Sequence, residues 1–343
     1  MEAPKEAGPT PHQLGGERGN GAGESNSAGV LMGDGLRRLF RYGTAKSHTL
    51  RLLAEAGDDA CRKAGLRVEK VKTCGDWLLF RHFPTKGETK LHSAFFCCTH
   101  LVCGFCAIRR GARMMARYLE RFTTIRKAHP ELKPYLVTLT VRNGADLLER
   151  LTHLEKSLTR LHKRRLGKRS RSLLTAIRGA VWSYEVTYSA NKGWHPHVHA
   201  IWLATEEPDK FALRAEWHEI TGDSFMCDVR PIQPEETVET PDVDPHAKGF
   251  AEVFKYAMKA AELPPTVALD AYTVLRGRRL VRSFGAFFGV PEPAADDLSD
   301  DMPVEELPYI DLLWRFHGDR YVHAATIDRT PSFARGRVPD PVL

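Results

Sequence analysis

The sequence predicts an α+β fold: an antiparallel sheet with helices on one face, preceded by a small cysteine-rich segment. Three observations carry this. Strand-like and helix-like stretches follow one another as β–α–β–β–α, with a further helix after them. Asn191-Lys-Gly193, between the second and third strand-like stretches, is a turn signal for an antiparallel hairpin. Four of the seven cysteines crowd between Cys97 and Cys106, and an odd, clustered set points to reduced thiols or metal binding rather than a disulfide framework.

The elements follow in order. Residues 1–29 hold seven Gly and three Pro, no aromatic residue and little apolar periodicity, which predicts a disordered tail. Leu31 to Ala64 reads as basic helix with a break near Gly57. Ile108 to Ala128 reads as a helix with Ile108, Ala112, Met115, Leu119 and Phe122 on one side. Arg109, Arg110, Arg113, Arg117 and Arg121 occupy its other side. Tyr135–Val141 is strand-like, and Leu147 to Leu166 is a second helix with Leu151, Leu154, Leu158 and Leu161 on one face. Ala180–Tyr188 and His197–Leu203 are the hairpin strands. Pro208-Asp209 starts a helix with Leu213, Trp217 and Ile220 inward and Gly222 at its end. Residues 230–246 read as a loop, and Ala247 to Leu263 as a helix stopped by Pro264-Pro265.

Composition bounds the function. The 343 residues are 42% hydrophobic and 27% charged, which excludes collagen-like, mucin-like and wholly disordered classes. The net charge of +7 is unevenly spread: Lys156–Arg171 carries eight basic residues and no acidic one, whereas Glu292–Glu306 carries seven acidic residues and no basic one. Such segregation points to a polyanion partner on the basic side. No apolar run approaches the roughly 20 residues of a membrane span. No apolar signal-peptide core stands at the N-terminus. A cytoplasmic location without membrane contact is expected.

Gly193-Trp-His-Pro-His-Val-His199 is the centre of the chemistry. Alternate side chains of a strand share a face, so His197 and His199 point the same way and reach one metal ion. His195 has the same parity but lies beyond Pro196, near the turn. A lone HxH is a weak signal, and the neighbouring strand strengthens it. There Glu185 shares a face with Ser183 and Thr187, and it would complete a His–His–Glu set. Imidazoles with a carboxylate suit Mn²⁺ or Mg²⁺ and an oxygen-rich substrate. On the 247–263 helix, Glu252, Tyr256 and Lys259 stand together at i, i+4 and i+7. A phenol so flanked can attack a phosphodiester. Lys259 would lower the phenol pKa or clamp the phosphate, and Glu252 would take a proton from Tyr256 or from water. Cys98-x4-Cys103-x2-Cys106, with Cys74 upstream, has zinc-like spacing, and Cys74, Cys98, Cys103 and Cys106 are the expected structural set. Cys97, His92 and His100 are alternative ligands.

These pieces occur in a recognisable order. The run from Cys98 through Arg109-Arg110, then Tyr135–Val141, Glu185-Val-Thr187, Gly193–Leu203 and Glu252-x3-Tyr256-x2-Lys259 resembles the plasmid rolling-circle replication initiator (Rep) family of the HUH endonuclease superfamily. Arg279–Gly289 also resembles a stretch that follows the catalytic helix in that family, and the likeness covers roughly residues 70–290. Where the family commonly has proline after the second cysteine of the cluster, Gly104 stands here.

The resemblance implies a ferredoxin-like sheet carrying the His pair, with the tyrosine helix packed across that face. It implies a metal-dependent, site-specific nickase and strand transferase. Tyr256 would be the nucleophile, His197 and His199 the metal pair, Glu185 a weaker third ligand, and Glu252 the acid that activates water at termination. Arg109, Arg110, Arg113, Arg117, Lys163, Arg164, Arg165, Lys168 and Arg169 are expected to hold DNA phosphates. Plasmid origin DNA, exposed as a hairpin or single strand, would be the substrate, and a host helicase and polymerase the partners. The corresponding organisation is a tail over 1–29, a helical and zinc-binding region over 30–130, a nickase domain over 131–290, and an acidic loop with a C-terminal segment over 291–343. Two other readings compete: a single-tyrosine HUH transposase or relaxase, and a zinc-containing DNA-binding regulator without catalysis.

Overall fold

Two antiparallel sheets organise the computed structural model, which describes residues 34–167, 171–234, 246–254, 258, 260–291 and 309–328. The chain begins with α1 (Asp34–Ala56) and α2 (Asp58–Lys63). Gly57 between them sits at φ 80°, a left-handed conformation that favours glycine and turns the chain at the expected break. A short α3 (Val68–Lys72) leads to the hairpin of β1 (Trp77–Phe83) and β2 (Glu88–Ala94). The cysteine loop follows, and then α4 (Gly104–Ala128).

The next elements are β3 (Lys133–Thr140), α5 (Leu147–Arg165), β4 (Gly179–Ser189), β5 (Gly193–Ala204), α6 (Lys210–Thr221) and β6 (Cys227–Pro231). They pair as β6-β3-β5-β4, every pair antiparallel, which is the ferredoxin-like β–α–β–β–α–β arrangement. Local chemistry sets their limits. Asp146 caps α5 by accepting from Glu149 N at 3.1 Å. Asp209 caps α6 by accepting from Phe211 N at 2.8 Å and Ala212 N at 3.2 Å. Gly222, at φ 71°, closes α6 in the left-handed conformation.

The remaining elements depart from the expected ones. The helix expected over 247–263 is α7 (Ala247–Val253), and Ala260–Glu262 forms a separate 3-10 turn. Pro264-Pro265 does not only stop a helix. Pro264 is the N-cap and Pro265 the first residue of α8 (Pro265–Leu275), where a missing N–H costs nothing. Then β7 (Val281–Gly285) joins the edge of β4. Residues 310–328, unassigned from sequence, form β8 (Ile310–His317) and β9 (Arg320–Asp328), and β8 pairs with β1 to give a second sheet of order β2-β1-β8-β9. The C-terminal strands thus complete the sheet begun by the N-terminal region. Residues 1–33, 235–245, 292–308 and 329–343 lie outside the described ones, and with them the expected tail and the acidic tract from 292 to 306.

Helices cover both faces of the five-stranded sheet, not one. On one face Val137, Leu139, Ala180, Tyr184, Val198 and Trp202 pack with Leu151 and Leu154 of α5 and Leu213 and Trp217 of α6. On the other, Val181, Ile201 and Leu203 pack with Phe122 of α4 and Phe250 and Val253 of α7. The central strands are apolar on both sides over these residues, so both sides need cover. The buried stripe of α4 is Phe105, Ile108, Met114, Tyr118, Phe122 and Ile125, turned from the expected one, and Ala112 is exposed. Among the described residues no helix is long and apolar enough to cross a membrane. Replacing the α6 cap, Asp209→Ala, should lower stability by about 1 kcal/mol. Urea denaturation checks this, and an unchanged midpoint would show the cap to be idle.

Candidate functional site

The β4–β5 register brings three ligating side chains to one face. Glu185 lies opposite His197, Ser183 opposite His199, and Thr138 of β3 opposite His199 on its other flank. His199 Nε2 is 3.2 Å and His197 Nε2 3.6 Å from Glu185 Oε2, and the three donor atoms lie within 4.8 Å of one another. The far nitrogens orient the rings. His197 Nδ1 donates to the His195 carbonyl at 3.2 Å, which holds the ring with Nε2 toward Glu185. His199 Nδ1 lies 3.1 Å from Thr138 Oγ1, a contact that holds the ring with Nε2 toward Glu185. Burial pushes the Glu185 carboxyl up, but hydrogen bonds and charge from His197 and His199 outweigh it and bring the pKa to about 2. An ionised carboxylate is the donor state a divalent cation requires, and a cation taking the place between the three side chains would displace any Nε2 proton shared with Glu185. His195 stacks on His197 with ring centroids 5.2 Å apart, and only its carbonyl serves the group.

One segment is pinned over this face. The Ser183 hydroxyl donates to the carbonyl of Val253, the last residue of α7. Phe250 and Val253 are fully buried beneath α4, and Tyr118 of α4 stacks on Phe254 with centroids 5.0 Å apart. Gly111 lets the two backbones meet, since a Cβ there would come within 2.7 Å of the Phe254 carbonyl oxygen. Glu252 is half-buried on α7. Tyr256 and Lys259 lie outside the described residues, as do Lys168 and Arg169.

A second cluster lies at the N-terminus of α4. The sulfurs of Cys74 and Cys106 are 3.5 Å apart, those of Cys74 and Cys103 3.6 Å, and those of Cys97 and Cys106 3.7 Å. A tetrahedral ion with Zn–S bonds of about 2.3 Å spaces its sulfurs roughly 3.8 Å apart. The donor set therefore fits zinc. The buried set is Cys74, Cys97, Cys103 and Cys106, so Cys97 replaces the expected Cys98, and His92 and His100 are not in the group. Cys98 is exposed, at φ 58°, its sulfur turned to the Phe96 carbonyl. The loop turns left-handed at Cys98, and spacing alone does not say which of the two neighbours such a turn faces inward. Backbone N–H groups of Cys97 and Thr99 donate to Cys74 Sγ and Cys97 Sγ at 3.3 and 3.5 Å. Hydrogen bonds from Cys103, Cys106 and Cys74 hold the Cys97 thiol far below its ordinary pKa.

Gly104, the departure from the family pattern, has a local reason. Its N–H donates to Thr49 Oγ1 of α1 at 3.0 Å, and a Cβ would come within 3.1 Å of the Ala45 backbone oxygen. Proline offers no such donor.

The expected DNA-contacting side chains divide. Arg109 is only 7% exposed and stacks on Phe96 at 4.0 Å, so it belongs to the core rather than to a solvated face. Arg117 donates to the Pro291 carbonyl at 3.2 Å, and Arg110 and Arg113 are half-buried. Arg164 forms a two-pronged pair with Glu219 at 2.9 and 2.7 Å. Arg165 lies 4.4 Å over the Phe284 ring, and Lys163 is exposed. Sequence reading missed Thr138 as the residue that orients His199, although its parity within Leu136–Thr140 places it on the histidine face.

Two measurements test these sites. Cys97→Ser should lose about one equivalent of zinc by metal analysis, whereas Cys98→Ser keeps it; the reverse order would restore Cys98 as ligand. Thr138→Val, which keeps shape and removes the hydroxyl, should weaken Mn²⁺ binding about 10- to 100-fold in a calorimetric titration. Unchanged affinity would mean that the Thr138 contact does not orient His199.

Comparison with known proteins gives the context. The chain is 28% identical over 244 residues to Protein rep of Streptococcus pneumoniae serotype 2, covering 67% of this chain and 73% of that one. It is 24% identical over 209 residues to Protein rep of a Bacillus species, covering 60% of this chain and 64% of that one. To Protein rep of Lentilactobacillus hilgardii it is 25% identical over 183 residues, covering 51% and 55%. No solved structure matches the chain significantly. The Rep_1 family model, described as a replication protein, matches residues 88–306, and the chain belongs to that family.

Proposed function

We propose that this protein is a plasmid rolling-circle replication initiator that nicks one strand at the double-strand origin. The observation that carries the reading is the Glu185–His197–His199 group on the face where Ser183 holds the end of α7, three residues before Tyr256 in sequence. The Tyr256 phenol oxygen attacks phosphorus in line, and the bond from phosphorus to the 3′ oxygen breaks. The 5′ phosphate stays on Tyr256, and the released 3′-OH primes the host polymerase behind a host helicase. The bond energy kept in the phosphotyrosine lets a later 3′-OH reseal the strand. Glu252 accepts the proton of the water that makes the terminating cut, so one tyrosine suffices. Lys259 clamps the phosphate. Glu185, His197 and His199 would hold Mn²⁺ or Mg²⁺, which would supply Lewis-acid stabilisation of charge on the phosphate.

Membership of a replication-protein family favours this reading over a transposase or relaxase. A test is incubation of Tyr256→Phe with a labelled origin oligonucleotide and Mn²⁺. Loss of the covalent protein–DNA adduct is expected. An undiminished adduct would remove Tyr256 from the role.

A further inference from the structure

A cavity of about 270 Å³ opens at the β4–β7 edge of the sheet, beside α5. Strand parity puts it on the face opposite Glu185: Trp182 and Tyr184 of β4 line it, and Arg282 of β7 is the register partner of Trp182. Its walls are aromatic. Trp182 and Phe284 meet edge to face with centroids 6.2 Å apart, and Phe288 at the mouth is 69% exposed. Its rim is cationic. Arg279 and Arg282 are exposed, and Arg282 lies 5.9 Å from the Tyr184 ring centre. No acidic residue lines the cavity among the described residues, and Glu155, one turn before Thr159 on α5, is paired with Arg278 at 3.1 Å. His162 also lines it, with a buried Nδ1 that has no hydrogen-bond partner among the described residues. Burial, and after it the nearby Arg165, push the pKa of that imidazole down.

Flat rings, an unsatisfied ring nitrogen and guanidinium groups at the mouth match one ligand class. Every base has a π-face to stack, and its flanking phosphates seek arginine. We propose that this cavity takes one unpaired nucleobase of single-stranded DNA, stacked on Phe288, with neighbouring phosphates on Arg279 and Arg282. It would be a second DNA contact, separated by the sheet from the candidate metal centre. The proposal rests on DNA as the ligand but not on nicking.

The experiment is fluorescence anisotropy of a labelled oligothymidylate lacking the nick sequence, titrated with the full chain. Phe288→Ala should weaken binding about tenfold, and Phe288→Trp should restore it. Arg279→Ala with Arg282→Ala should lower the slope of log affinity against log salt by about 1.4. Neither change should alter cleavage of a short nick-site oligonucleotide at saturating protein. Tyr256→Phe should bind oligothymidylate normally, so loss of nicking and loss of this contact are separable. Unchanged oligothymidylate affinity in Phe288→Ala, or an equal loss on duplex DNA, would overturn the proposal.

Discussion

The antiparallel register between β4 and β5 is the constraint on which the candidate site depends. Pairing Glu185 with His197 and Ser183 with His199 sets three donor atoms and the α7 anchor on one face. A slip of one residue would turn Glu185 and Ser183 to the layer of Leu151 and Trp217, away from His197 and His199. The apolar residues guard against that slip. Ile201 and Leu203 must meet α4 and α7, while Val198, Ala200 and Trp202 must meet the other core. Hydrophobic burial on two sides thus holds the polar groups in place.

The cysteine cluster supports the same face from a distance. It gathers the Cys74 loop and the start of α4, and other contacts tie α1 and β9 to it. Buried Lys46 of α1 donates to the Cys74 and Lys72 carbonyls at 2.8 and 2.9 Å and to Asp76 Oδ1 at 2.6 Å. The Tyr321 hydroxyl of β9 donates to the Gly75 carbonyl at 2.5 Å. Further along, α4 meets α7 through Tyr118 and Gly111. A metal held by Cys74, Cys97, Cys103 and Cys106 would therefore stiffen the helix that roofs α7, and the C-terminal strands share in that frame.

Local signals were legible in the sequence and distant ones were not. The break at Gly57, the caps at Asp209 and Gly222, the leucine face of α5 and the β4–β5 hairpin each rest on residues a few positions apart. Pairing of β8 with β1 joins segments from opposite ends of the chain, and no local pattern announces it. Pro264-Pro265 reads equally as the end of one helix or the start of another, and here it starts α8. The arginines of α4 resemble a phosphate-binding face, yet Arg109 is taken into the core by Phe96. The Glu185, His197 and His199 group was legible because strand parity is a local rule, whereas the choice between Cys97 and Cys98 depends on how one loop turns.

In the proposed function Glu185, His197 and His199 hold one divalent cation. The most direct measurement is electron spin-echo envelope modulation of the Mn²⁺-loaded protein with the cysteine site filled by zinc. Coupling to two imidazole nitrogens, reduced to one in His199→Ala, is the expected result. A bound Mn²⁺ that shows no nitrogen coupling would contradict the account.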